Sequence, residues 1–164
     1  MRLIAFVGDS DTGKTELIKR LITELSQRGY SIAVVKHCAH GFTLSPEGKD
    51  SSQFMEAGAD SIAMLSPERL ALLFRNDAEV SYEGIAWEFF PGTDFVLVEG
   101  GRDDPKIRKI EVLRKGMAEK VTCPLNELAA VVSDEKIVIN KPLFNPEEVG
   151  KIADLLEKDY ENEQ

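Results

Sequence analysis

Leu3-Ile4-Ala5-Phe6-Val7-Gly8-Asp9-Ser10-Asp11-Thr12-Gly13-Lys14-Thr15 is the stretch whose reading decides the fold. Its five leading apolar residues read as a strand buried on both faces, as in a parallel sheet. Leu17, Ile18, Leu21, Ile22 and Leu25 follow at helical spacing, so the glycine-bearing segment joins a strand to a helix. That is the context a phosphate-binding loop requires. Gly8 and Gly13 let the backbone curl, so that the N–H groups of Asp9, Ser10, Asp11, Thr12 and their neighbours converge on phosphate at the positive end of the helix dipole. Lys14 then reaches the terminal phosphates as a point charge, and the Thr15 hydroxyl ligates magnesium. A chain of this length meets the pattern by chance about once in 200, and the correct flanks lower that further. Asp11 is the odd member, a carboxylate in an anion-binding loop, expected to point outward and to weaken phosphate affinity.

The 164 residues suffice for one domain with a full core and no staple of disulfides or metals. A net charge of −9 argues against nucleic acid or an anionic membrane as the main partner, since both demand a basic face. Cys38 and Cys123 form no paired motif, which suits a reducing compartment. No N-terminal segment reads as cleavable and no apolar run approaches a membrane span, so the cytoplasm is the expected location.

Further along, Ser31 to Lys36 reads as a second strand, and His37 to Lys49 as a long functional loop. Asp50 begins a short capped helix that Ala57-Gly58-Ala59 closes. Ser61 to Leu65 and Leu70 to Phe74 predict an antiparallel hairpin. Tyr82, Ile85, Ala86, Phe89 and Phe90 share a helical face, and the aromatics here, Trp87 included, read as core. Ile107 to Arg114 alternates apolar and charged residues and predicts a strand with one wet face, at the sheet edge. Leu128 to Val132 reads as a buried strand and Lys136 to Ile139 as a short extension. Asn145-Pro146-Glu147-Glu148 opens the last helix with a cap and a capping-box acid, and the acidic tail from Glu157 is expected to fray. The class expected is α/β, a P-loop NTPase-like three-layer fold, mostly parallel with an antiparallel hairpin or edge strand.

Phe95-Val96-Leu97-Val98-Glu99-Gly100-Gly101 is the second informative stretch. A buried parallel strand ends here in a carboxylate, where ligands of open α/β sheets sit. Glu99 is therefore expected to hold magnesium or orient an attacking water.

Four pieces follow the loop in order: Lys36-His37-Cys38-Ala39-His40, Gly48-Lys49-Asp50-Ser51, Ala57-Gly58-Ala59 and Val98-Glu99-Gly100. Together they resemble the molybdopterin-guanine dinucleotide biosynthesis protein B (MobB) family, over nearly the whole chain. The resemblance implies a dimeric GTP-binding protein with weak GTPase activity. Such a protein assists a molybdopterin guanylyltransferase-type enzyme in making the guanine dinucleotide form of the molybdenum cofactor. It further implies that Gly8, Gly13, Lys14 and Thr15 hold phosphate and magnesium, and that Glu99 is the acid beside the metal. Lys36, His37, His40, Lys49, Asp50 and Ser51 would form a second polar surface for molybdopterin or its guanine dinucleotide. Asp11 departs from the small residue common in that family. Guanine selectivity is not visible in the residues: Asn140-Lys141-Pro142-Leu143 lacks the aspartate of a base reader and reads as a turn. Ser133 and Asp134 are the remaining candidates for a base contact.

Three other readings compete. His37, Cys38 and His40 offer donors to zinc or nickel, as in a metal-delivery GTPase. Arg102, Lys106 and Arg108 would clamp an acceptor or the transferred phosphate in a small-molecule kinase. A binding module would use the nucleotide only to set its shape.

Overall fold

The computed structural model describes residues 1–42, 50–76, 80–118 and 120–161, with the side chains of 50 and 159–161 left aside. These fall into two compact units, Met1–His37 with Tyr82–Gln164, and Cys38–Ser81.

The larger unit is built on a six-stranded sheet in the order β2-β5-β1-β6-β7-β8. Its strands are β1 (Arg2–Val7), β2 (Ile32–Lys36), β5 (Phe95–Glu99), β6 (Arg108–Leu113), β7 (Leu128–Ser133) and β8 (Leu143–Phe144), and every pairing is parallel. Side chains alternate across a strand, and β1 shows why five consecutive apolar residues were needed. Ile4 and Phe6 enter one core, with Leu17, Leu21 and Leu25 of α1 (Lys14–Gln27) and Ile152 and Leu156 of α4 (Val149–Glu161). Ala5 and Val7 enter the other, with Val98, Ile107, Leu113, Cys123 and Val131. Each fully buried aliphatic side chain contributes about 1.5–3 kcal/mol relative to exposure. Arg28 then ties the end of α1 to α4 through Asp154 and Glu157, at 2.8 and 2.7 Å.

β6 corrects the sequence reading. It is no edge strand: it lies between β1 and β7, and Lys109 and Glu111 on its supposedly wet face are fully buried. Their charges are satisfied internally. Lys109 Nζ donates to the carbonyls of Asp104 and Ile107 and to Glu127 Oε2, at 2.6, 3.1 and 2.6 Å. Glu111 accepts from the Thr122 and Cys123 amides and the Thr122 hydroxyl.

Smaller corrections follow. Residues 136–139 form no strand; the sheet is extended by β8, whose Leu143 and Phe144 pair with Val131 and Val132. Helix α3 (Tyr82–Phe89) buries only Ala86, while Trp87 is 65% and Phe89 42% exposed. An apolar stripe marks the face a helix can bury, not that a partner covers it. At the last helix the capping-box bonds are present, Asn145 N–H to Glu148 Oε2 at 2.9 Å and Glu147 N–H to Asn145 Oδ1 at 3.0 Å. They close a turn one step ahead of α4, which runs past Glu157 to Glu161 because Arg28 anchors that side chain.

The smaller unit holds α2 (Asp50–Glu56) and the antiparallel hairpin β3 (Ser61–Leu65) and β4 (Leu70–Phe74). Ser66 and Arg69 close its turn. The Arg75 guanidinium caps α2 through the Met55 and Ala59 carbonyls. Leu65, Leu70, Leu72 and Phe74 of the hairpin are exposed.

Candidate phosphate-binding site

Parallel register assembles the site from three strand ends. Phe6 lies beside Glu99, and Glu99 beside Lys36, so the carboxyl ends of β1, β5 and β2 reach the same level. The loop leaves β1 at Gly8, where a side chain would collide with the Val112 carbonyl of β6. Asp11 adopts a left-handed φ of 61°, a conformation Asp tolerates better than most residues; it is exposed, as expected of a carboxylate turned away. Gly13, at φ 94°, enters α1 without a side-chain cap, leaving its first-turn amides for an anion.

Lys14 Nζ folds back over the loop, donating to the carbonyls of Gly8 at 3.1 Å and Asp9 at 2.6 Å. Partial burial holds its ammonium below the usual lysine range; Glu99, Asp9 and Asp11 oppose the shift and Arg102 adds to it. The Thr15 hydroxyl donates to Glu99 Oε1 at 2.8 Å, and Lys36 Nζ lies 3.3 Å from the same oxygen. One hydroxyl and one carboxylate therefore meet at the mouth of the loop. That pair suits magnesium, which prefers oxygen donors and keeps several of its waters.

His37 continues β2, and its Nδ1 lies 2.8 Å from the Tyr82 hydroxyl. Gly100, at φ 104°, leaves room for it, since a Cβ there would stand 2.8 Å from His37 Cβ. On the other side of the loop, a cavity of about 400 Å³ opens between the first turns of α1 and the ends of β6 and β7, lined among others by Gly13, Glu16, Arg20, Arg114, Asp134 and Asn145.

The structure thus brings Gly8, Asp9, Thr12, Gly13, Lys14, Thr15, Lys36 and Glu99 to one place. Asp134 lines the cavity, whereas Ser133 is buried and accepts from the Glu135 amide. His40 and Ser51 belong to the smaller unit; Lys49 and the Asp50 side chain lie outside the described residues. Among the described residues no group of three or more His, Cys, Asp or Glu is disposed to hold a metal. No helix among them is long and apolar enough to cross a membrane. Thr122 and Glu111, which reach the loop through Arg102, carry no motif by which spacing could have found them.

Residues 3–134 match the model of the family described as Molybdopterin guanine dinucleotide synthesis protein B. The chain is 35% identical over 160 residues to a molybdopterin-guanine dinucleotide biosynthesis adapter protein of Haemophilus influenzae, spanning 94% of this chain and 87% of that one. It is 31% identical to its Escherichia coli counterpart over 94% and 90%. Among solved structures, a molybdopterin-guanine biosynthesis protein B superposes with a TM-score of 0.75 at 29% identity, covering 95% of this chain and 98% of that one. Bacillus subtilis MobB does so at 0.71 and 26%, covering 94% and 98%.

Proposed function

The chain belongs to the molybdopterin guanine dinucleotide synthesis protein B family and has a role in making that dinucleotide, and we propose that it acts there as a magnesium-dependent GTP-binding adapter with slow GTPase activity. The observation that carries the proposal is the junction of Lys14, Thr15 and Glu99, with the Thr15 hydroxyl 2.8 Å from Glu99 Oε1. Lys14 would exchange its loop carbonyls for phosphate oxygens, and Thr15 and Glu99 are the residues that would hold magnesium. When bound, that ion neutralises charge between the phosphates. Glu99 also orients a water for in-line attack, and the turnover is slow because positioning is the main contribution. The guanine preference is supported by the relatives' names, and Asp134 in the cavity beside α1 is the residue proposed to meet the base.

The same reading has the chain working in the cytoplasm beside a molybdopterin guanylyltransferase-type enzyme. Molybdopterin or its guanine dinucleotide would be received by Lys36 and His37 at the end of β2. A homodimer is supported by the exposed apolar hairpin, since clustered apolar surface marks an interaction site. Light scattering is expected to return twice the 18.2 kDa chain mass.

Calorimetry with GTP and ATP side by side, each with magnesium, tests the central claim. GTP is expected to bind more tightly. Preference for ATP would overturn the reading and favour phosphate transfer to a small molecule.

A further inference from the structure

Asp9 is held from outside its own loop. Arg102, which follows Glu99-Gly100-Gly101, sets one guanidinium nitrogen 3.3 Å from Asp9 Oδ1 and another 2.9 Å from Thr122 Oγ1. The Thr122 hydroxyl has a single proton, and it is committed to Glu111 Oε1 at 2.5 Å. Toward Arg102 that oxygen can therefore only accept. Glu111 is fully buried and takes the Thr122 and Cys123 amides at 3.0 and 3.1 Å, so it cannot turn. A buried acid thus fixes a hydroxyl, the hydroxyl fixes an arginine, and the arginine reaches the phosphate loop.

The two ends of this chain differ in how readily they let go. The Thr122 end is anchored in the interior through Glu111. The Asp9 end is a long contact to a carboxylate 59% exposed, and a pair of that kind is weak and exchangeable. Asp9 also marks a particular part of the loop, because its carbonyl is one of the two on which Lys14 rests. Lys14 is the residue that addresses terminal phosphates, so Arg102 stands at that end. The cavity proposed for the base is lined instead by Gly13, Glu16 and Arg20.

Resting on the nucleotide reading above, we infer that Arg102 senses, within its own chain, the terminal phosphate of a bound nucleoside triphosphate, exchanging Asp9 for a phosphate oxygen, with Thr122 and Glu111 as its positioning residues. Arginine suits the task, since its fork keeps one side on Thr122 while the other engages an oxyanion.

Calorimetry of GTP and GDP with magnesium tests this on the wild type, Arg102→Ala, Thr122→Val and Thr122→Ser. Arg102→Ala is expected to lose about tenfold in GTP affinity, one charge-assisted contact, with GDP affinity held within about twofold. Thr122→Val should show the same selective loss at about threefold, and Thr122→Ser, which keeps the hydroxyl, should restore the wild-type ratio. An equal fall for both nucleotides in Arg102→Ala would mean that the arginine only braces the loop, and the inference fails. So does a wild-type GTP to GDP ratio in Thr122→Val. If the wild type binds neither nucleotide, the nucleotide reading falls and takes this inference with it.

Discussion

The two strands that flank β1 carry charge to opposite ends. On one side, β5 is apolar and buried from Phe95 to Val98 and reaches its acid only at the last residue, Glu99. That carboxylate is held by a hydroxyl and an exposed lysine, partners that a cation can replace. On the other side, β6 carries Lys109 and Glu111 in mid-strand, fully buried and bonded to fixed backbone groups and side chains. A charge whose partners can be exchanged is available for chemistry. A charge whose partners are built into the core holds loops in place, and its loss is felt as stability.

The largest effect should come from breaking the buried side of this contrast. Lys109→Ala strands Glu127 and two carbonyls beside a strand in the centre of the sheet, which costs about 3–5 kcal/mol. Urea unfolding measures it, and a loss near zero would mean that solvent reaches Glu127 freely. The double variant Lys109→Met with Glu127→Leu should recover much of the loss, because removing both charges removes the desolvation cost.

On the exchangeable side the order reverses, with binding lost and stability kept. Lys14→Ala should weaken GTP binding by about 100-fold, roughly 2.7 kcal/mol, with the unfolding midpoint unchanged. Glu99→Gln keeps the shape and the bond to Thr15 but removes the charge that attracts magnesium. It should weaken magnesium-supported binding by about tenfold and slow hydrolysis further, while metal-free binding stays close to wild type. If Glu99→Gln instead lowered the unfolding midpoint as far as Lys109→Ala, the contrast between the two strands would be lost.

The same contrast explains what was legible in the residues alone. β1 runs directly into its loop and β5 directly into Glu99, so within each stretch local pattern carried fold and chemistry together. The hairpin and both terminal helices were legible for the same reason. β6 was not, because a period-two alternation looks identical whether its polar face meets water or partners from elsewhere. Its partners lie far along the chain: Glu127 is eighteen residues beyond Lys109 and Thr122 eleven beyond Glu111. The same distance hid the Arg102 connection to Thr122. Ile137-Val138-Ile139 misled in the opposite direction, with strong strand propensity but no strand neighbour. Val138 is fully exposed, while the weaker Leu143-Phe144 takes the place beside β7.

The smallest expected effect concerns Asp11, where backbone and charge pull on one residue. Its left-handed φ of 61° is one that Asn shares with Asp at little cost, so Asp11→Asn changes the charge and leaves the conformation. A carboxylate several ångströms from a phosphate in water repels it by about 0.5–1 kcal/mol, so Asp11→Asn should raise GTP affinity about two- to fivefold. The gain should shrink as salt is added, because exposed charges are screened. Asp11→Gly relaxes the backbone as well, yet it adds the entropy of a freer chain to the unfolded state. Its affinity should therefore match that of Asp11→Asn, with a stability change below about 1 kcal/mol. A gain in Asp11→Gly alone, insensitive to salt, would mean that the shape of the loop limits binding and not its charge. The exposed carboxylate would then belong with Lys109 and Glu111, among the charges that act through structure.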